Sequence, residues 1–357
     1  MKKIELYIIR EILRPLVIVL IIFSGLFICF SSARLLAGAI SESIPFPLII
    51  KLVFLKTLIA QEVLIPIALY TATIFALGRL HRDQEIIVMA ASGISETSIV
   101  WAVLKAVIPI AVVTGVFSIM VRPWAYTHVY ITDAYIYGES NFDKYQAGRF
   151  YGDEDSGRVV YLKNKIKANG NLESVFLYLR EKYSSEVVLA KLGEQVQMED
   201  TEFNELHLYD GYIYRINRDN RQDSIVRFTK FVYVPDIENA IGYKRKMENT
   251  ASLMISGAPG DIAESQWRLS RPFATIILAL LAVPLSRTSP RQAKTENIFI
   301  ATAVFAIYYN MTGLAQSWVE QGVIGEFPGV WWLHVVMLLM VSWFLIPEFI
   351  RKSARAR

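Results

Sequence analysis

The chain has 357 residues, 54% of them hydrophobic and only 20% charged, against roughly 45–50% and 25% for a soluble domain. The apolar excess is gathered into a few long runs, which excludes an ordinary soluble domain and marks a membrane protein. A net charge of +4 that clusters beside those runs gives no case for nucleic acid, and a single cysteine excludes an intrachain disulfide.

The N-terminal stretch MKKIELYIIREILRPLVIVLIIFSGLFICF opens like a signal peptide, but its apolar region is too long and no small-residue cleavage pattern closes it. It reads as an uncleaved first span, about Pro15–Leu36, preceded by an amphipathic helix. Cys29 lies inside this run and is expected to be a small core thiol. A spanning helix needs about 20 mostly apolar residues. Five more stretches qualify, about Leu52–Leu80, Thr97–Val121, Pro272–Ser286, Ile298–Trp318 and Val330–Ile350. Pro66 is expected to kink the second, and the fourth, short as it stands, extends back through QWRLSR.

Loop charge orients these spans. Lys2, Lys3, Arg10 and Arg14 precede the first; Arg79 and Arg82 follow the second; Arg287, Arg291 and Lys294 follow the fourth; Arg351, Lys352, Arg355 and Arg357 follow the sixth. The alternate short loops, AISESIPFP and VEQGVIGEFPG, contain no Lys or Arg. By the positive-inside rule both termini are cytoplasmic and residues 122–265 face outward.

Between the third and fourth spans the pattern changes. GRVVYLKN, SVFLYLRE, EVVLAKLG, ELHLYD, YIYRIN and IVRFTKFVYV are short runs rich in Val, Ile, Tyr and Phe, separated by clusters such as NGN and DNRQD. LHLYDGYIYRI is expected to be a hairpin turning at Asp210-Gly211. Many short strands suggest an all-β sandwich or jelly-roll of about 100 residues. His128 and His207 are far apart, and no Ser/His/Asp or metal-ligand constellation is visible, so this segment reads as a binding or docking module. The organisation expected is a three-span half (1–121), an outer jelly-roll-like β domain with connecting segments (122–265), and a second three-span half (266–357).

The stretch HRDQEIIVMAASGIS, residues 81–95, lies between the second and third spans. Glu85, Val88, Met89 and Ser92 fall at helical spacings of three and four. Asp83 and Glu85 are placed in the first turn, where carboxylates complement the helix dipole, and Gly93 suits the helix end. Lying on the headgroups is one possible role, but the acids would then face an anionic inner leaflet. A helix with an acidic start and a Met/aliphatic stripe fits a protein groove better, which predicts a docking helix for a cytosolic motor. Arg34, near the outer end of the first span beside Ser31 and Ser32, either snorkels to the interface or faces a cavity that takes an anionic headgroup, where a guanidinium fork matches phosphate oxygens.

No G-x-x-x-x-G-K-[ST] loop occurs anywhere in the chain, so ATP hydrolysis by that route is excluded and energy must come from a partner or a gradient. Gradient-driven carriers display ionisable groups deep in the bilayer. Lys56, Glu62 and Lys105 are the candidates, with snorkelling the alternative for Lys105 and local pairing or water for the other two.

YIIREIL, LIPIALYTATIFALGRLHRDQEIIVMAASGIS, VLAKLG, LHLYDG, ESQWRLSRPFATIILALLAVPLS and SPRQAK together resemble the YjgP/YjgQ family of lipopolysaccharide-export permeases over essentially the whole chain. PLSRTSPRQAK is similar to one of the two paralogues of that family, whose usual pattern there is Pro-Arg-Gln-Gly-Arg; Ala293 and Lys294 replace the last two. The family's lysines near the outer loop between its last two spans have no counterpart in SWVEQGVIGEFPG.

The resemblance implies an α-helical polytopic protein of six transmembrane helices with an inserted periplasmic jelly-roll, in the inner membrane of a Gram-negative bacterium. It implies a non-enzymatic permease of an ABC transporter, paired with an LptG-like second permease on an LptB-like ATPase dimer. An LptC-like membrane-anchored jelly-roll protein and an LptA-like periplasmic bridge complete the set, lipopolysaccharide is the ligand, and no nucleic acid is involved. The family's coupling-helix glutamate carries over to Glu85, in a coupling region that includes Arg82, Asp83, Val88 and Met89, and its cavity arginine carries over to Arg34. No catalytic residue, metal or cofactor is expected in this chain; ATP and Mg belong to the partner ATPase. Two other classes remain open on the residues alone. One is a gradient-driven lipid or solute carrier depending on Lys56 or Glu62. The other is a membrane-anchored scaffold whose β domain recruits a periplasmic enzyme.

Overall fold

The structure, a computed structural model, describes residues 2–42, 46–137, 147–153, 158–165, 172–180, 184–197, 204–217, 223–233, 243–287 and 294–355. These divide into two compact units. The first takes Met1–Leu36, Ile49–His128 and Lys244–Arg357, the second Ala37–Leu48 and Val129–Tyr243.

The first unit is helical. Helix α1 covers Lys2–Glu42 without a break, so the amphipathic start and the first span are one rod with Pro15 inside it. Helix α2 is Phe46–Arg82, with Pro66 inside it, α3 is Glu85–Ala91 and α4 is Glu96–Val116. A π-helical turn, Phe117–Val121, runs straight on into α5, Arg122–Tyr137. The outer segment was expected to start at residue 122, but Arg122-Pro123 suits the first turn of a continuing helix, and the helical unit runs on to His128. After the sheet come α6, Thr250–Ile255, α7, Pro259–Leu285, α8, Lys294–Glu320, and α9, Trp331–Arg355. Among the described residues, three helical stretches are long and apolar enough to cross a membrane: Lys3–Ala37, Glu96–Ala134 and Pro259–Leu285. Trp331–Leu345 is apolar over a shorter length.

Burial in this unit follows the rule for helices in hydrocarbon, where small residues allow close approach. Ala68, Ala72 and Ala76 repeat every four residues along α2. They pack, all buried, with Ile8, Ile12, Leu16 and Val19 of α1 and Ala102 and Val103 of α4. The other side of α1 exposes Leu6, Val17, Ile18, Ile21, Leu26 and Phe30, as a helix facing lipid tails would. Cys29 belongs to that exposed side and is not a core thiol: the buried stripe of α1 falls on every third or fourth residue, and position 29 lies off it. A second cluster joins Tyr70 and Ile74 of α2 to Ile277, Leu278 and Leu281 of α7, Tyr308 of α8 and Leu333 and Met337 of α9.

The second unit is built on one antiparallel sheet. Its strands are β1 Phe150–Asp153, β2 Arg158–Lys165, β3 Leu172–Arg180, β4 Ser184–Gln197, β5 Asn204–Asn217 and β6 Ser224–Tyr233, paired in sequence order. The described strands are therefore an up-and-down meander, not the jelly-roll expected. The connections span only a few residues each, the usual length of hairpin loops between sequential antiparallel strands. The hairpin expected at Asp210-Gly211 is absent too, because β5 passes through both residues while pairing with β4 and β6 on either side.

Asp210 instead marks a crease. It sits at φ 57° and Ser174 at φ 53°. The ladder skips these two residues together with Lys163, Lys191 and Thr229, one on each of β2–β6, and resumes in the same register. Across this row the inward set changes parity. It passes from Leu206 and Leu208 to Gly211 and Ile213 on β5, and from Val188 and Ala190 to Gly193 on β4. One sheet thus lines a single core of Val160, Leu162, Val175, Leu177, Val188, Leu208 and Phe228 from both sides of the crease. Gly211 is obligatory there, since a Cβ would collide with the Leu189 carbonyl and the Phe228 ring.

Candidate functional site

Two groups of polar residues in the helical unit stand out, one around α3 and one inside the bundle. Helix α3 is separated from α2 by Gln84, in the left-handed conformation at φ 59°, so Asp83 lies before the helix and not in its first turn. Arg82 and Asp83 are exposed and 3.7 Å from one another. Ile86 is buried in the core of α1, α2 and α4. That sets the rotation of the seven-residue helix: Glu85 and Met89 flank the buried position, while Ile87 and Val88 point outward, 62% and 63% exposed. The expected stripe of Glu85, Val88, Met89 and Ser92 is therefore divided. Val88 and Ser92 are exposed, whereas Glu85 turns inward and accepts a 2.7 Å hydrogen bond from the Tyr7 hydroxyl.

Further polar pairs tie the first turns of α1 to its neighbours. Arg79 donates to Glu11 at 2.6 Å, and Lys105 donates to Glu5 at 2.6 Å. Lys105 is thus an ion-pair partner, not a snorkelling chain. Arg287, just past α7, lies 3.5 Å from Glu96 at the start of α4. Burial first, then the charge of Arg287, hold His81 below the usual histidine range. His81 is neutral at pH 7, and Arg79, Arg82 and Arg287 supply the positive charge of this rim. A shallow recess lined by Ile4, Glu5 and Ile8 of α1, Ile94, and Ser98 of α4 lies here.

The second group is buried. Glu62 of α2 accepts from Trp267 Nε1 at 2.6 Å and from the Ser118 hydroxyl at 3.3 Å, and it lies 3.4 Å from Arg122 Nε. Arg122 also reaches Glu264 of α7 at 3.2 Å. The π-helical turn makes this possible. It carries Ser118 and delivers Arg122 one step later, as such turns often do at functional positions. Pro123 has no N–H for the carbonyl of Ile119, and the Thr250 hydroxyl donates to that carbonyl. Glu264 further accepts from Arg268 Nε at 3.0 Å and from Gln316 of α8 at 3.3 Å. The remaining N–H groups of Arg268, which is 0% exposed, go to the carbonyls of Arg245, Lys246 and Glu248 and to Thr250. Arg268 thereby staples the segment before α6 onto α7. Arg271, one turn on, stacks its guanidinium 3.4 Å from the Trp267 ring centre.

Of the ionisable residues expected deep in the spans, Glu62 is buried while Lys56 and Lys105 are not. Arg122 and Glu264 were missed because span limits drawn from apolar content stop short of them, and Arg268 and Arg271, inside the QWRLSR extension of the fourth span, were given no role. A signal was present: Asp261, Glu264, Arg268, Arg271 and Thr275 repeat every three or four residues, one face of a helix. Arg34 is exposed on α1, near buried Ser31. Nothing brings Arg34 and Glu85 together; they lie on the same helix assembly at different levels of α1. Among the described residues no group of three or more His, Cys, Asp or Glu side chains is placed to hold a metal ion.

Comparison with known proteins adds the family. The family described as "Lipopolysaccharide export system permease LptF/LptG" matches residues 6–347. Curated relatives named "Lipopolysaccharide export system permease protein LptF" include those of Escherichia coli (strain K12), Escherichia coli O157:H7 and Shigella flexneri. Each is 22% identical over 371 residues, covering 98% of this chain and 98% of the relative.

Proposed function

The chain belongs to the lipopolysaccharide export system permease LptF/LptG family, and we propose that it is the LptF-type permease subunit of an ABC transporter in the inner membrane of a Gram-negative bacterium. In this reading it crosses the membrane six times, with both termini cytoplasmic and the β-sheet unit periplasmic. It pairs with an LptG-like permease on an LptB-like ATPase dimer, with an LptC-like protein joining. Lipopolysaccharide enters the cavity between the permeases from the outer leaflet and is passed to an LptA-like bridge.

The observation that carries the reading is α3, a short helix offering Ile87 and Val88 outward while Glu85 is bonded to Tyr7 of α1. Two apolar side chains on a helix face are the usual anchors for a protein groove. Motion imposed on them passes through the Tyr7–Glu85 bond to the same helix that carries Arg34. Arg34 then holds an anionic headgroup by charge-assisted hydrogen bonds and does no covalent chemistry. A gradient-driven carrier needs a carboxylate free to trade a proton, whereas Glu62 is held by Trp267, Ser118 and Arg122, which favours ATP as the energy source.

The test is to purify the tagged chain from its native membrane and identify co-eluting proteins and lipid by mass spectrometry. A soluble ATPase, a second permease and lipopolysaccharide are expected together. The chain alone with bulk phospholipid would refute the reading.

A further inference from the structure

The buried polar group does not balance its charge. Among the described residues it holds two carboxylates, Glu62 and Glu264, and three guanidiniums, Arg122, Arg268 and Arg271, while the buried Asp261 at the start of α7 faces Arg245 at 3.9 Å. The carboxylate oxygens are taken. Glu62 serves Trp267, Ser118 and Arg122, and Glu264 serves Arg122, Arg268 and Gln316. Arg268 uses its donors fully, as described above. Arg271 does not: its Nε reaches the Trp267 carbonyl at a long 3.4 Å, and its Nη2 is buried with no hydrogen-bond partner among the described residues. A buried charge is tolerated only when paired and hydrogen-bonded. Arg122 Nη1 is buried without a hydrogen bond too, but it lies 3.2 Å from Glu264; among the described residues Arg271 has no carboxylate at ion-pair distance, so the excess positive charge resides there.

Arg271, only 4% exposed, lines a narrow recess between α2, α7 and α8, shared with Glu62, Pro66, Phe305, Tyr308 and Tyr309. Tyr309 lines this recess with Arg271, and its ring centre lies 5.8 Å from the Arg271 guanidinium. The remaining walls are mostly apolar. The space is narrow and admits a guest of about the size of a water molecule, not a sugar.

We infer that this recess binds a small anion, which accepts from Arg271 and from the Tyr309 hydroxyl and completes the charge balance of the buried network. A halide fits, and so does a single oxygen of a lipid phosphate reaching in from the bilayer. The site stands whatever cargo the chain carries.

The test is thermal unfolding of the full chain in nanodiscs of zwitterionic lipid, titrated with sodium bromide against sodium gluconate at constant ionic strength. The midpoint is expected to rise saturably with bromide, Arg271→Gln to abolish the rise, and Tyr309→Phe to weaken the apparent affinity about tenfold, the effect of losing one hydrogen bond to a charged group. A parallel arm uses nanodiscs containing phosphatidylglycerol in gluconate alone. A stabilisation there that Arg271→Gln removes, without one from bromide, identifies the occupant as a lipid phosphate. No Arg271-dependent rise in either arm overturns the site. Should Arg271→Gln not fold, an anion response unchanged in Tyr309→Phe overturns it equally.

Discussion

The hydroxyl of Tyr7, in the second turn of α1, donates a 2.7 Å hydrogen bond to Glu85 Oε2, at the start of α3. Seventy-eight residues separate the two in sequence, and no local pattern links them. The bond makes Glu85 an internal tie between α3 and α1 and leaves Ile87 and Val88 as the outward side chains of α3.

If that tie transmits motion, Tyr7→Phe and Glu85→Gln each lower ATP-driven lipid release from the reconstituted complex. The double variant is no worse than either alone. A double-mutant cycle on unfolding should give a coupling on the order of 1 kcal/mol for this part-buried bond. Additive losses would mean that Glu85 acts through a different partner.

Ile87→Asp and Val88→Asp are expected to lower recovery of the ATPase on co-purification at least tenfold while leaving the unfolding midpoint of the chain nearly unchanged. Both side chains are more than half exposed, so their removal costs little in the fold, whereas a carboxylate buried in a groove costs several kcal/mol without a partner. Met89→Asp serves as the contrast. It flanks the buried side of α3 and should lower stability as well as binding.

Removing Arg122 takes a cation from two buried carboxylates, Glu62 and Glu264, 3.4 Å and 3.2 Å away, and leaves only Glu264 with another, Arg268. Arg122→Met should destabilise the helical unit by about 3–5 kcal/mol, the usual cost of breaking a buried pair from one side. Adding Glu62→Gln should return part of that loss. Thermal unfolding of both variants decides the point, and an Arg122→Met chain as stable as the parent would show that the cluster is hydrated.

In the sheet, Gly211→Ala places a methyl group against the Leu189 carbonyl and the Phe228 ring and should cost about 1–3 kcal/mol from overpacking. Asp210→Gly, at φ 57°, should be neutral or slightly stabilising, because the left-handed conformation costs roughly 1–2 kcal/mol for a side chain with a Cβ. The exposed ion pair of Asp210 with Lys191 contributes little against this. Hydrogen exchange across β4–β6 reads both effects.

Arg34→Gln is expected to reduce photocrosslinking of lipopolysaccharide to the outer part of α1 several-fold, with Arg34→Lys retaining part of it as a point charge without the fork. An unchanged crosslinking yield would leave Arg34 as an interface anchor only.

The sequence by itself determined the helical and β-rich segments, the position of the short helix α3 and the family likeness, because hydropathy runs and strand composition are local properties of the chain. It did not determine which way α3 is rotated, since seven residues with apolar side chains at Ile86, Ile87, Val88 and Met89 carry no sharp periodicity; the core of α1, α2 and α4 chose Ile86. Nor did it show that Asp210-Gly211 continues a strand, because the same dipeptide suits a hairpin until β4 and β6 pair on either side of it. The buried network was invisible for a related reason. Polar residues lower the apolar content by which spans are recognised, and only packing brings Glu62, Arg122 and Glu264 from α2, α5 and α7 within reach of one another. Their charges are tolerable in a membrane solely because tertiary structure pairs them.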